Sequence, residues 1–157
     1  TGEPTTDDIW MPEWLDRSQL DFSLESLKAV DAYLERIHQN LQEFPDDRQF
    51  STIIRTGSYV GEVTKGISRT EYRWFKYKEA IKKNKNKKSL LGDEPSIGMA
   101  GVLIDRNDAY AFPINKVVKY LQNVSEDCVY FFAIVVTSDV VLAAFLERTH
   151  DVPLRPI

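Results

Sequence analysis

Carboxylates, two histidines, one thiol and a run of lysines are the groups in this chain that chemistry could use. Glu62 directly follows Gly61, whose missing side chain would leave space for a shallow pocket lined by Tyr59 or Trp74. Acid–base catalysis needs a second carboxylate or a histidine at a fixed distance, and no spacing here ties one to Glu62. The plainer assignment is a helix glutamate paired with Lys65 or Arg69. His38 and His150 are the only histidines, and neither has a partner four residues away that would form a metal pair. Cys128 has no adjacent histidine or lysine to lower its pKa, and its neighbours Val129 and Tyr130 point to a buried thiol rather than a nucleophile. Asp105, Asn107 and Asp108 cluster as in a cation loop, but the glycine and distant glutamate of an EF-hand are missing. No Gly-x-Ser-x-Gly turn and no phosphate-cradling glycine loop occurs. The sequence therefore names no reaction. It implies no cofactor and no metal.

The lysine run is the second candidate. Residues 69–88 hold Arg69, Arg73, Lys76, Lys78, Lys82, Lys83, Lys85, Lys87 and Lys88 against only Glu71 and Glu79. Tyr72, Trp74, Phe75 and Tyr77 are interleaved among them, the pattern of a single-strand binder with stacking platforms between phosphate contacts. A half-buried strand followed by a solvated loop would alternate in the same way. The rest of the chain sums to −11 within a net charge of −4, which opposes a polyanion. Much of that acid lies in residues 1–47, with twelve acids against three bases, a block suited to meeting a basic protein.

The elements that must position these groups follow from periodicity. Leu27, Val30, Leu34, Ile37 and Leu41 form one apolar stripe, capped by Ser23 and ended near Glu43 by the approach of Pro45. Asp46 or Asp47 caps a second helix through Ile53, Gly57, Val60, Gly61 and Val63, and Gly66 ends it. Gly57 and Gly61 lie on one face of that helix, each costing roughly 0.5–1 kcal/mol relative to alanine. Close approach of Trp74 or of the first helix would compensate for that cost. Tyr72 to Tyr77 alternates as a strand, and Lys82 to Lys88 reads as a charged loop. Residues 99–105 and 109–112 form a hairpin around Asp105-Arg106-Asn107-Asp108, with Asn107 suited to positive φ. Pro113 opens a helix carrying Val117, Val118 and Leu121, and Ser125 is expected to start another. Residues 128–136 fit a buried strand or a buried helix, the cap favouring helix, and a further helix is expected at 139–149.

With 157 residues, the chain suits one domain that needs neither disulfide nor metal. The expectation is an α+β fold: two N-terminal helices packed as an antiparallel pair, a small antiparallel sheet, and C-terminal helices covering it. Residues 1–20 would be an irregular arm pinned by Trp10 and Trp14, residues 21–150 the domain, and 151–157 a tail. The polar start lacks a signal-peptide pattern, and Thr137-Ser138-Asp139 interrupts the one long apolar run. A soluble, cytoplasmic protein with no membrane partner is expected.

A helix with Leu27, Leu34 and an acidic residue between them, then Gly57-x-Tyr59-x-Gly61-Glu62, Trp74 and Pro113-x-x-x-Val117-x-Lys119-x-Leu121-x-Asn123, with Glu126-Asp127 beyond, together resemble small bacterial families of unknown function. In them a G-x-Y-x-G-E helix precedes a tryptophan strand. The resemblance spans about residues 22–135. It departs where those families place a glycine before the tryptophan, since this chain has Glu71-Tyr72-Arg73. It implies a bacterial α+β domain, in some cases linked to toxin-neutralising immunity proteins, and it transfers no catalytic residue. The leading expectation is thus a non-enzymatic protein-binding domain, with an immunity-type inhibitor of a toxin as its narrower form. The alternatives are a nucleic-acid module using Lys82, Lys83, Lys85, Lys87 and Lys88, or a small-molecule binder or enzyme built on Tyr59, Glu62 and Trp74.

Overall fold

Helix α1 (Leu27–Gln39) forms because its apolar residues recur at helical spacing, and Leu27, Val30, Tyr33, Leu34 and Ile37 are all buried. It begins three residues later than the sequence suggests. Ser23 instead organises the preceding turn, its Oγ accepting the Ser26 N–H at 3.2 Å, and Ser26 stands at the cap position. The chain turns after Gln39, so Leu41 leaves the apolar stripe and stays 38% exposed. The computed structural model describes residues 8–123 and 128–138. The expected Ser125 cap, the helix at 139–149, His150 and the tail at 151–157 lie outside them.

Helix α2 (Asp46–Ile67) is capped by Pro45, in extended geometry, while Asp46 and Asp47 sit inside the first turn, where the helix dipole favours acids. Gly66 lies within its last turn rather than beyond it, and Ser68 ends the helix. Its buried face carries Thr56, Gly57, Val60, Gly61 and Thr64, small side chains that admit close neighbours. Helix α5 (Pro113–Asn123) uses that space: a Cβ added at Gly57 would lie 2.6 Å from the Ile114 Cα. The first helix is not what fills the groove. Helix α5 packs against both α1 and α2, so the two N-terminal helices do not form the expected antiparallel pair but meet chiefly through a third element.

Three short antiparallel strands form the sheet in the order β1 (Arg73–Phe75), β2 (Val102–Ile104), β3 (Tyr110–Ala111). Trp74 pairs with Leu103, and Leu103 with Ala111. Side chains alternate along β2, and both of its faces are covered. Leu103 faces a cluster with Tyr72, Ala111 and Phe132 and Val136 of α6 (Val129–Val136). Val102 and Ile104 face a second cluster with Tyr77, Ala80, Leu91 and Met99. The architecture is α+β, with a helical layer on one sheet face and a small cap on the other. Residues 128–136 do form a helix, as the cap argument favours.

Two local expectations change. The aromatic alternation at 72–77 ends early, because Tyr77 opens helix α3 (Tyr77–Lys83), which a short turn joins to α4 (Lys88–Leu91). The lysine-rich segment is thus folded rather than a loop. In the hairpin turn, Asp105 Oδ1 accepts the Asn107 and Ala109 N–H groups at 2.8 and 2.9 Å. The residue at positive φ is Asp108, not Asn107.

The N-terminal arm is pinned as its tryptophans suggest. Trp10 stacks on Phe44 at 5.1 Å, its N–H donates to Thr52 Oγ1 at 2.9 Å, and its carbonyl accepts the Tyr33 hydroxyl. The Arg36 guanidinium lies over the Trp14 ring at 4.4 Å.

Candidate functional site

The α2–β1 corner brings Glu62 and Trp74 together. The Trp74 indole lies against two glycines: a Cβ added at Gly61 would overlap its ring, and one at Gly101 would stand 3.1 Å from it. That burial requires a partner for the indole N–H, and Glu62 supplies it by accepting from Nε1 at 2.7 Å. Lys65 Nζ lies 3.1 Å from the same carboxylate oxygen. Partial burial pushes this carboxyl up, but the indole and the ammonium outweigh it and hold the group below its usual range. Glu62 is therefore an anion already committed to two donors. It lacks the raised pKa of a general acid, and its visible work is to orient Trp74.

Tyr59 does not join it. The Tyr59 phenol accepts the Phe22 N–H at 2.9 Å and donates to Ser26 Oγ at 2.7 Å, with its ring 4.9 Å from that of Phe22. One turn of α2 thus carries two anchors, Tyr59 for the segment before α1 and Glu62 for β1. The pocket held as an alternative at Tyr59, Glu62 and Trp74 resolves into separate structural contacts, and Glu62 pairs with Lys65 as the plainer assignment has it.

The cap is built differently. Ala80 is fully buried at its centre and Tyr77 nearly so, and the Tyr77 hydroxyl donates to the Gly92 carbonyl at 2.5 Å, closing α3 onto the end of α4. Gly92 sits at φ +87°, a conformation that a side chain would strain. Asn84 Oδ1 accepts the Asn86 N–H at 3.0 Å and shapes the turn between the helices. This scaffold holds Lys82, Lys83, Lys85 and Lys88 exposed and Lys87 half-buried. Lys83 Nζ lies 5.3 Å from the Phe75 ring centroid and 3.9 Å from Asp108 Oδ1, and Lys87 Nζ lies 5.6 Å from the Tyr110 centroid. The Tyr110 hydroxyl donates to the Ala80 carbonyl at 2.9 Å, fixing that ring against α3. Among the described residues, Lys82, Lys85 and Lys88 have no carboxylate within ion-pair distance. The neighbouring arginines do: Arg73 and Arg106 both hold Glu71, at 3.0 and 3.1 Å.

The remaining candidates are structural. His38 Nδ1 donates to the Leu121 carbonyl at 2.7 Å, satisfying an acceptor near the end of α5. Cys128 is partly buried, stands at the N-cap of α6, and accepts the Phe131 N–H at 3.4 Å. Burial pushes its thiol up, and the nearby Asp31 carboxylate adds to that, which is the reverse of nucleophile activation. Asp31 is the polar residue that spacing arguments leave without a role. Its two oxygens accept the Val129 and Tyr130 N–H groups at 2.7 and 3.1 Å, capping α6 from α1. Burial raises its carboxyl above the ordinary range despite those bonds. A signal existed: Asp31 sits four residues after Leu27 and three before Leu34, on the apolar face.

Among the described residues, no group of three or more His, Cys, Asp or Glu side chains is placed to hold a metal. No helix among them is long and apolar enough to cross a membrane. No family model, no curated protein and no solved structure matches the chain.

Proposed function

We propose that this chain is a non-enzymatic bacterial binding domain that recognises another protein by charge, with toxin neutralisation as its narrower form. The observation that supports it is the unequal fate of the two charged blocks. Several of the N-terminal acids have local partners: Asp16 accepts from Ser18 and Gln19, Asp21 from Ser23, Asp31 caps α6, and Glu25 and Asp8 pair with Lys28 and Arg55. In the cap, Lys83 reaches Asp108, while Lys82, Lys85 and Lys88 have no carboxylate within ion-pair distance among the described residues. Unpaired charge of one sign on a folded surface speeds encounter with a partner of the opposite sign. The bacterial and immunity elements rest on the Gly57–Glu62, Trp74 and Pro113–Leu121 motifs and their resemblance.

Affinity capture from the native host, followed by calorimetry on the purified partner, tests this reading. A stoichiometric complex that weakens as salt rises is expected. No partner, together with a measurable turnover by the purified chain, would overturn it.

A further inference from the structure

Resting on that reading, we infer that the docking face is the α3–α4 cap and that its partner is an acidic protein segment carrying apolar side chains. Three observations converge there. Lys82, Lys85 and Lys88 are exposed without carboxylate partners among the described residues, on elements tied down by Tyr77 and Gly92. Lys83 lies over the Phe75 ring and reaches Asp108 at 3.9 Å, and Lys87 lies over the Tyr110 ring, so both ammonium groups are partly preorganised. Leu90 is 54% exposed within the same helix as Lys88, while its neighbour Leu91 is buried. Lysines alone suit any anion. The exposed leucine among them suits a segment that alternates carboxylates with apolar side chains, because each kind then meets its complement.

A nucleic acid fits this face less well, for two reasons. Stacking needs open aromatic faces, and here Lys83 and Lys87 lie over the Phe75 and Tyr110 rings. A long polyanion would also run from this face into the field of the rest of the chain, which sums to −11 within a net −4.

Fluorescence anisotropy with the full chain provides the test. The probe is a labelled peptide alternating Glu and Leu; the comparison probes are an all-Glu peptide of equal length and a labelled oligothymidylate. The Glu–Leu peptide should bind best, and added salt should weaken it. Changing Lys82, Lys85 and Lys88 together to Gln should weaken it about tenfold, a modest contribution from each exposed charge. Leu90→Ser should reduce affinity while leaving the salt dependence unchanged, and should bring the Glu–Leu peptide down to the all-Glu level. These are surface positions, and an unchanged circular dichroism melt confirms that each variant is folded. Equal binding by the triple variant, or tighter binding of the oligothymidylate than of the peptide, would overturn the inference. A host partner that binds the triple variant normally would keep the binding-domain reading and still overturn this face.

Discussion

Adding one methyl group at each of two glycines in the same helix isolates the packing that defines this fold. Gly61 and Gly66 both lie in α2, and Gly→Ala brings the same gain in helix propensity and the same loss of unfolded-state freedom at each. Their surroundings differ. A Cβ at Gly66 meets nothing within 4 Å, whereas one at Gly61 overlaps the Trp74 ring and stands 3.2 Å from Pro113 Cγ. The ring has no room to retreat, since Gly101 lies against its other edge and Glu62 holds its nitrogen. Gly66→Ala should therefore stabilise by up to about 1 kcal/mol. Gly61→Ala carries the same gain less an overpacking cost of about 1–3 kcal/mol. The difference between the variants is that cost alone. In a 157-residue chain each kcal/mol moves Tm by roughly 2–4 °C, so the variants should melt roughly 2–12 °C apart, Gly61→Ala lower. Urea titrations followed by circular dichroism give the same difference at constant m. Equal stabilisation by both substitutions would refute the close contact between α2 and β1.

Two further outcomes follow from the polar anchors. Glu62 has a lowered folded pKa, so its contribution is present above the ordinary value of 4.5 and is lost as pH falls through the folded value. Glu62→Gln should cost about 1 kcal/mol at neutral pH, the difference between a charged and a neutral acceptor, and the two proteins should converge in acid. A gap that persists undiminished below the ordinary glutamate range would contradict the ionised pairing. Asp31→Ala removes the acceptor of the Val129 and Tyr130 N–H groups and should cost about 1–3 kcal/mol. Amide exchange should accelerate first at those two residues. Uniform acceleration across α1 and α2 instead would deny Asp31 its role as a cap.

What was legible in the sequence was local. The stripe of α1, the Pro113 start of α5 and the hairpin around Asp105 all follow from rules that act within a few residues. The failures share a different cause. Lys82 to Lys88 looks like a solvated loop because its composition is polar, yet Tyr77 reaches across fifteen residues to Gly92 and folds it. Tyr72, Trp74 and Phe75 read as a longer strand because aromatic alternation does not reveal where the next helix begins. Of the two neighbours expected at the paired glycines, Trp74 lies at Gly61 and the first helix at neither, while the occupant at Gly57 is Ile114 of α5, a choice made by tertiary packing. Glu62 looked like a possible reactive group because spacing cannot show that an indole nitrogen takes its lone pair.

The two charged blocks diverge for a reason rooted in side-chain chemistry. Aspartate is short and accepts hydrogen bonds, so a surplus of it can be absorbed into turns and helix starts, as Asp16, Asp21, Asp31 and Asp105 are. Lysine only donates, on a long stem, and finds few acceptors nearby except carboxylates and the terminal carbonyls of helices. Among the described residues, Lys83 of the cap reaches Asp108, while Lys82, Lys85 and Lys88 have no carboxylate within ion-pair distance. A net charge of −4 therefore coexists with a basic surface, and the sign of the total is a poor guide to the sign of the partner. That asymmetry, more than the size of either block, is the argument for proposing the α3–α4 cap as the docking face.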